Sequence, residues 1–230
     1  MKIYFPISKR RGILFDMDGV IINSEPVAEL SLLELSSHFG RRFSSEGELQ
    51  RFKGFTERSI AQLLQELFPN ITVSIDEIIG MRLDLVRRHF HVVQLIEGAF
   101  EFIQRCKAAG YSLGLTTSAA RSIQCLAFEK FDLSGYFDAV ITGDDVKKGK
   151  PDPEPYELAA AQLHLRASDC IVIEDSVNGI LSGKAAGCFV IGITTSFSAD
   201  ALEKAQPDLV VPAFGVLASL LFGTQHSSRA

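Results

Sequence analysis

Six short apolar runs punctuate the chain, at residues 12–15, 111–115, 139–142, 170–173, 189–193 and 209–211. They lack the polar alternation of half-exposed strands, which is the pattern of strands covered on both faces of a parallel sheet. Between them apolar residues recur at helical spacing, at 99–109, 121–131, 153–163 and 177–186. Gly110 stands just past the first of these, a common C-terminal stop, and Asp152-Pro153 opens the third, where Pro suits a first turn. Strand and helix alternate, so the expected fold is α/β, a doubly wound, Rossmann-like parallel sheet. Right-handed crossovers then gather the strand C-termini along one edge, where such sheets bind ligands.

Residues 25–95 break this rhythm. Helical patterns at 27–39, 57–68 and 76–90 follow one another with no convincing strand among them. About seventy residues of helix between two strands exceed an ordinary crossover. A helical cap at 25–95 is therefore expected, inserted into a core made of 1–24 and 96–230, with hinges near 23–25 and 94–98. The bland alternative is a pair of oversized crossover helices.

Four polar clusters follow the apolar runs: Asp16-Met17-Asp18-Gly19, Thr116-Thr117-Ser118, Lys150-Pro151 and Glu174-Asp175-Ser176. A single acid there is commonly a helix cap. Several acids with one Lys and a hydroxyl, brought to one sheet edge, form a chemical inventory. Gathered carboxylates need a counter-ion, and all-oxygen ligands favour a hard cation, Mg²⁺. Mg²⁺ invites phosphate oxygens. Asp16 can then attack phosphorus, while Asp18, two residues on, stands near the leaving oxygen as acid and later base. Lys150 would neutralise charge on the transferred group, and Thr117 would hold the phosphate, with backbone N–H groups after Asp16 and Thr117 assisting.

Charge and composition narrow the field. The net charge is −5, which disfavours nucleic acid or an anionic membrane as the main partner. A composition 47% hydrophobic and 22% charged fits a globular chain with a sizeable core. Cys106, Cys125, Cys170 and Cys188 form no metal-ligand spacing and are expected to be reduced thiols. No apolar stretch follows the charged first residues and none reaches membrane-span length, so a cytoplasmic location is expected. A monomer is compatible with these features.

Phe15-Asp16-Met17-Asp18-Gly19-Val20, with Ser24-Glu25-Pro26 behind it, resembles the first motif of the haloacid-dehalogenase-like hydrolases. Residues 113–118 resemble the second motif, Lys150-Pro151-Asp152-Pro153 the third, and Ile173-Glu174-Asp175-Ser176 with Gly179-Ile180 the fourth. The four occur in order and span nearly the whole chain. The resemblance implies Asp16 as nucleophile and Asp18 as acid/base. It also implies Thr117, Ser118 and Lys150 at the phosphate, and Mg²⁺ held by Asp16, the Asp18 carbonyl, Asp175 and Glu174 (direct or through water). Dehalogenases of the family lack the second acid, so Asp18 favours phosphoryl transfer. The phosphonate-cleaving members also replace that acid and use a cap Lys; Lys53 lies in the expected cap, but Asp18 argues against that chemistry.

The subgroup most similar is that of β-phosphoglucomutase and the small-sugar phosphatases. Its mutases carry a His where spacing puts Ala28, which favours a phosphatase acting on a small sugar or sugar-acid phosphate. A phosphosugar mutase and a non-catalytic phosphometabolite sensor are the alternatives. Arg51-Phe52-Lys53-Gly54-Phe55-Thr56 resembles the cap's specificity loop, in which Gly54 would let the backbone approach the site and Lys53 is either a contact to the far end of the substrate or a solvated surface charge. Arg82, Arg87 and Arg88 lie on one helix and are expected to form a solvated face.

Overall fold

The computed structural model describes residues 10–43, 46–52 and 55–223. Strand β1 (Gly12–Phe15) is buried along its whole length and leads into a two-residue strand, β2 (Ile22–Asn23). Four helices follow, α1 (Glu25–His38), α2 (Glu46–Gln50), α3 (Glu57–Leu67) and α4 (Ile75–His89), and the chain returns through β3 (Gln94–Leu95). The remainder alternates as foreseen: α5 (Ala99–Ala108), β4 (Ser112–Thr116), α6 (Arg121–Phe131), β5 (Ala139–Ile141), α7 (Glu154–Gln162), β6 (Cys170–Glu174), α8 (Val177–Ala185) and β7 (Phe189–Ile193). Helix α9 (Ala199–Glu203), β8 (Leu209–Val211) and α10 (Phe214–Phe222) close the described chain.

Among the described residues the main sheet has six strands, all parallel, in the order β5-β4-β1-β6-β7-β8. The chain moves outward from β1 on one side through β4 and β5, then crosses back to β6 and continues outward on the other side. The crevice where the order reverses is the usual ligand position in such sheets.

Side chains alternate across the pleat, so neighbouring residues enter different cores. Ile13, Phe15, Ile171, Ile173, Phe189 and Ile191 pack with Phe102 of α5, Phe128 of α6 and Phe214 of α10. Leu14, Val172 and Val190 face the other way, onto Tyr156 and Ala160 of α7, Ile180 of α8 and Leu202 of α9. Phe15 anchors the first core by edge-to-face contacts with Phe102 and Phe137, at 6.1 and 6.0 Å between ring centroids. Burial on both faces is the reason the strands carry no polar alternation.

The segment between β2 and β3 has an apolar cluster of its own. Leu32 and Leu35 of α1, Ile60 and Leu64 of α3, and Ile78 and Leu85 of α4 pack around Phe43, Phe52 and Phe68. Helix α4 begins with a capping box: Glu77 N–H donates to Ser74 Oγ, and Ser74 N–H to Glu77 Oε2. The two crossings into this helical insert are tied together, because β2 and β3 pair antiparallel, Ile22 with Leu95 and Asn23 with Gln94. This small sheet had no apolar signature; two residues are too few to show a period. Val27, Val86 and Phe90 seat the insert on the first core. Lys130 of α6 adds a polar clamp, its Nζ donating to the carbonyls of Phe90, His91 and Val93 at 3.2, 2.7 and 2.6 Å. No helix among the described residues is long and apolar enough to cross a membrane.

Candidate active site

Register brings the site together. Phe15 pairs with Leu115 on one side and Ile173 on the other, so the next residues, Asp16, Thr116 and Glu174, emerge at one level. Lys150 enters from the loop before α7, ahead of a cis peptide bond to Pro151. Its ammonium donates to Asp16 Oδ1 at 2.5 Å, to Glu174 Oε1 at 2.7 Å and to the Thr116 carbonyl at 2.9 Å. A Lys ammonium has three protons, so all its donors are engaged and its position is fixed.

Glu174 is fully buried and accepts five hydrogen bonds. Lys150 and the Tyr156 hydroxyl (2.8 Å) donate to Oε1. The backbone N–H groups of Asp175 and Ser176 and the Ser176 hydroxyl donate to Oε2, at 3.1, 3.2 and 2.9 Å. A carboxylate held this way is rigid. Gly179, in the first turn of α8, leaves room for it; a Cβ there would sit 1.8 Å from the Glu174 carboxyl carbon. Gly19 does the same for the neighbouring acid. Its φ of +78° favours glycine, and a Cβ would lie 1.9 Å from Asp175 Oδ2. The loop after β7 completes the wall: Thr195 Oγ1 donates to the Gly19 carbonyl at 2.5 Å, and the Ser196 hydroxyl bonds Asp175.

Asp18 faces Thr117, whose Oγ1 donates to Asp18 Oδ2 at 3.2 Å and accepts from the Ala119 N–H at 3.0 Å. Ser24 also bonds the Asp18 carboxyl. The Thr117 hydroxyl proton is thus directed at Asp18 in this arrangement. Ser118 is exposed and lines the same cavity.

Four acids surround one cation, and their protonation shows the imbalance. Burial pushes Asp16 well above the usual carboxylate range; Lys150 opposes this, while Glu174, Asp175 and Asp18 add to it. Asp175 is pushed up to about 7, by burial and then by the Glu174 charge. Burial also raises Asp18, against the bonds from Ser24 and Thr117. For Lys150 burial alone would lower the value, but Asp16 and Glu174 together outweigh it and hold the ammonium charged. Buried carboxylates in this state call for a cation. Asp16, Glu174 and Asp175 each offer an oxygen, all within 4.8 Å of one another, a donor set that could hold a hard metal ion. The Asp18 side chain is not among them; only its carbonyl was expected at a metal.

Above this floor lies a cavity of about 260 Å³, walled by the insert. Asp16, Asp18, Lys150 and Asp175 line one part, and Ala28, Glu57, Ile60, Arg82 and Phe90 another. The volume is at the small end for ligand sites and suits one compact metabolite. Lys53 and Gly54 lie outside the described residues. The expectation for Arg82 is corrected: it is buried, paired with Glu57 and part of the cavity wall, while Arg87 and Arg88 are exposed. Residues 82, 87 and 88 do not share a helical face. Arg82 instead lies on the buried stripe of α4 with Ile78, Leu85 and Val86. Tyr156, Thr195, Ser196 and Ser24 were not anticipated; for Tyr156 the available signal was a polar-tipped aromatic on the buried side of a helix close to Lys150.

Known proteins resemble the chain along most of its length. It is 32% identical over 204 residues to the pyrophosphatase PpaX of Bacillus velezensis, covering 87% of this chain and 91% of that protein. It is 31% identical to a validoxylamine A 7'-phosphate phosphatase of Streptomyces hygroscopicus subsp. limoneus, covering 84% and 90%. Among solved structures, a HAD hydrolase of family IA, variant 3, from Entamoeba histolytica superposes with a TM-score of 0.82 at 25% identity, over 92% of this chain and 97% of that one. The sequence model of the haloacid dehalogenase-like hydrolases matches residues 13–193, a span running from β1 through β7 with every acid of the site inside it, and the chain belongs to that family.

Proposed function

We propose that the protein is a Mg²⁺-dependent phosphatase that hydrolyses a small phosphomonoester through an aspartyl-phosphate on Asp16. The observation that carries this reading is the meeting of Asp16, Asp18, Thr117, Lys150, Glu174 and Asp175 at one sheet edge, beneath a small cavity. Two relatives with phosphate-releasing names support it.

Mg²⁺, held by Asp16, Asp175, the Asp18 carbonyl and Glu174 (directly or through water), would offset the acids' repulsion and draw phosphate oxygens to the site. The chain's own groups do the rest. A carboxylate oxygen of Asp16 bonds to phosphorus as the ester oxygen leaves. Asp18, whose pKa is raised by burial, gives that oxygen its proton. The Asp18 carboxylate then takes a proton from water, which attacks the same phosphorus. The Asp16–phosphorus bond breaks, orthophosphate departs, and both acids return to their starting states. Lys150 stays bonded to Asp16 Oδ1, so the other oxygen is the one free to attack, and the ammonium stands beside the charge that builds. Thr117 and Ser118 hold the phosphate. Lys53 and Gly54 belong to the proposed substrate loop.

Residues 25–95 act in this reading as a cap over a core of 1–24 and 96–230, excluding water and bulky esters. Ala28, on the cavity wall, has no proton to exchange, which favours water over a second sugar hydroxyl as acceptor and so a phosphatase over a mutase. The ions and substrates required suit a cytoplasmic enzyme.

A screen of phosphorylated metabolites with Mg²⁺, reading released phosphate, tests the proposal. Turnover of a small ester by the wild type and none by Asp16→Asn is expected. Release by Asp16→Asn at the wild-type rate would overturn it.

A further inference from the structure

The two sides of the cavity differ in chemistry. Its floor is the sheet edge, with Asp16, Asp18, Ser118, Lys150 and Asp175. Its roof is the insert, and each described helix there contributes an apolar side chain: Leu32 of α1, Leu49 of α2, Ile60 of α3 and Val86 of α4, with Phe55 between α2 and α3. Leu32, Ile60 and Val86 are almost wholly covered and form the backing. Phe55 differs: it is 47% exposed, a large ring half-uncovered although it lines the cavity. Ala28 and Leu49 also keep part of their surface open, as do Ala119 and Phe197, which reach the cavity from the loops after β4 and β7.

An exposed aromatic is ordinary on a protein surface. This one borders a cavity that is continuous with Asp16, so whatever occupies the roof comes attached to the group on the floor. The lining is not apolar throughout; Glu25, Glu29, Thr56, Glu57 and Arg82 belong to it as well. Arg82 and Glu57 bond each other, and Thr56 Oγ1 accepts from the Ser59 N–H at the start of α3. Lys53 and Gly54 precede Phe55 in the chain and stand outside the described residues. What points to the occupant is therefore the apolar surface present, not a lack of charge. Covering such surface removes water from both partners and favours an apolar group in proportion to its area.

We propose that the insert recognises the leaving group by its hydrocarbon body, with Phe55 as a specificity-determining residue. This rests on the phosphatase reading given above. The phosphate sits on the polar floor, and an alkyl or aryl group on the ester oxygen packs against Phe55, Leu49 and Ala28. The substrate class is a phosphate monoester of a compact alcohol with a substantial hydrocarbon part, in preference to a fully hydroxylated sugar. A sugar's hydroxyls would leave water for Phe55 and Leu49, which offer neither donor nor acceptor, and that loss weakens binding.

The test measures kcat/KM for ethyl, butyl and hexyl phosphate and for glucose 6-phosphate, in wild type, Phe55→Leu, Phe55→Ala and Lys53→Ala. The alkyl esters differ only in chain length, and their leaving alcohols have similar acidity, so a trend reports contact and not leaving-group chemistry. A fully buried methylene is worth about fourfold, and wild type should favour hexyl over ethyl phosphate by at least about tenfold. It should also favour hexyl phosphate over glucose 6-phosphate. Phe55→Ala should cut the hexyl-to-ethyl ratio by at least about threefold, as expected for losing the ring's share of the contact. Phe55→Leu should keep most of the ratio, and Lys53→Ala should leave it unchanged whatever it does to the rate. A flat series overturns the proposal, and so does a wild-type preference for glucose 6-phosphate. A Phe55→Ala variant that slows ethyl and hexyl esters by one factor, or a ratio that collapses in Lys53→Ala, overturns it too. Calorimetric binding of ethyl and hexyl phosphate to Asp16→Asn separates recognition from turnover. Tighter binding of the longer ester there, with no phosphate released by wild type, would sink the phosphatase reading and leave the proposal standing. Equal binding of both esters, with phosphate released from each at one rate, would sink the proposal and leave that reading intact.

Discussion

The Tyr156 hydroxyl donates to Glu174 Oε1 at 2.8 Å, on the same oxygen that holds Lys150, and the Lys150 ammonium lies 4.9 Å from the Tyr156 ring centroid. Helix α7 thus reaches from beneath the sheet edge to brace both charges of the site. Tyr156→Phe keeps the ring and removes the bond. The variant should lose about 1–3 kcal/mol of stability in denaturant titration, since a charged acceptor loses a buried donor. Its kcat should fall roughly ten- to a hundredfold, as supporting contacts around metal sites do when cut, with KM little changed. An unchanged kcat would show that Lys150 and the Ser176 bonds hold Glu174 unaided.

Space is as restrictive as charge at Gly179. A methyl group there would overlap the Glu174 carboxylate, which is itself pinned by five donors. Gly179→Ala should destabilise the fold by about 1–3 kcal/mol, the usual penalty of overpacking, despite alanine's better helix propensity. A raised melting temperature would contradict the geometry.

The protonation of Asp175 predicts how metal binding depends on pH. With its pKa near 7, this acid is largely neutral below that value until a cation displaces the proton. Apparent Mg²⁺ affinity should fall about tenfold per pH unit below about 7 for each proton released, and level off above. The folded pKa lies above the unfolded one, so in chelator-treated protein this group's contribution to stability is complete below about pH 4. That contribution is lost as pH rises through about 7. Added Mg²⁺ should therefore raise the melting temperature more at pH 8 than at pH 5. Equal shifts at both would count against a metal held by Asp175.

Lys130 offers a test of how the insert is seated. Its ammonium caps three carbonyls, those of Phe90, His91 and Val93, between the end of α4 and the start of β3. Lys130→Met keeps the stem and leaves those carbonyls unpaired or hydrated. Faster amide hydrogen exchange across residues 90–96 is expected, with protection in β1 and β6 unaltered. Uniform exchange changes across the sheet would mean that insert and core open as one unit.

Much of the core could be read along the chain because each strand is short, apolar and covered on both faces, so burial leaves a local signature. The residues after β1, β4 and β6 stood out for the same reason: polar groups ending apolar runs are visible without knowing their neighbours. Helices α9 and α10 escaped notice, the first for having five residues and the second for an almost wholly apolar sequence with little face contrast. The pair β2 and β3 is held by partners about seventy residues apart, and separation of that kind has no local trace. Arg82 was misassigned by grouping it with the adjacent arginines; its spacing from Ile78 and Val86 already marked the buried stripe.

By itself the sequence determined the α/β alternation, the helical interruption and the residue types at the polar edge of the sheet, since these follow from local periodicity and from polar residues that end apolar runs. Tertiary structure alone decided which carboxylate is saturated by donors, which acids share space for a cation, and that Arg82 is buried against Glu57 in the cavity wall. Those are properties of distance and desolvation between groups remote in the chain: Lys150 meets Asp16 across 134 residues, and only folding sets how much water remains between them.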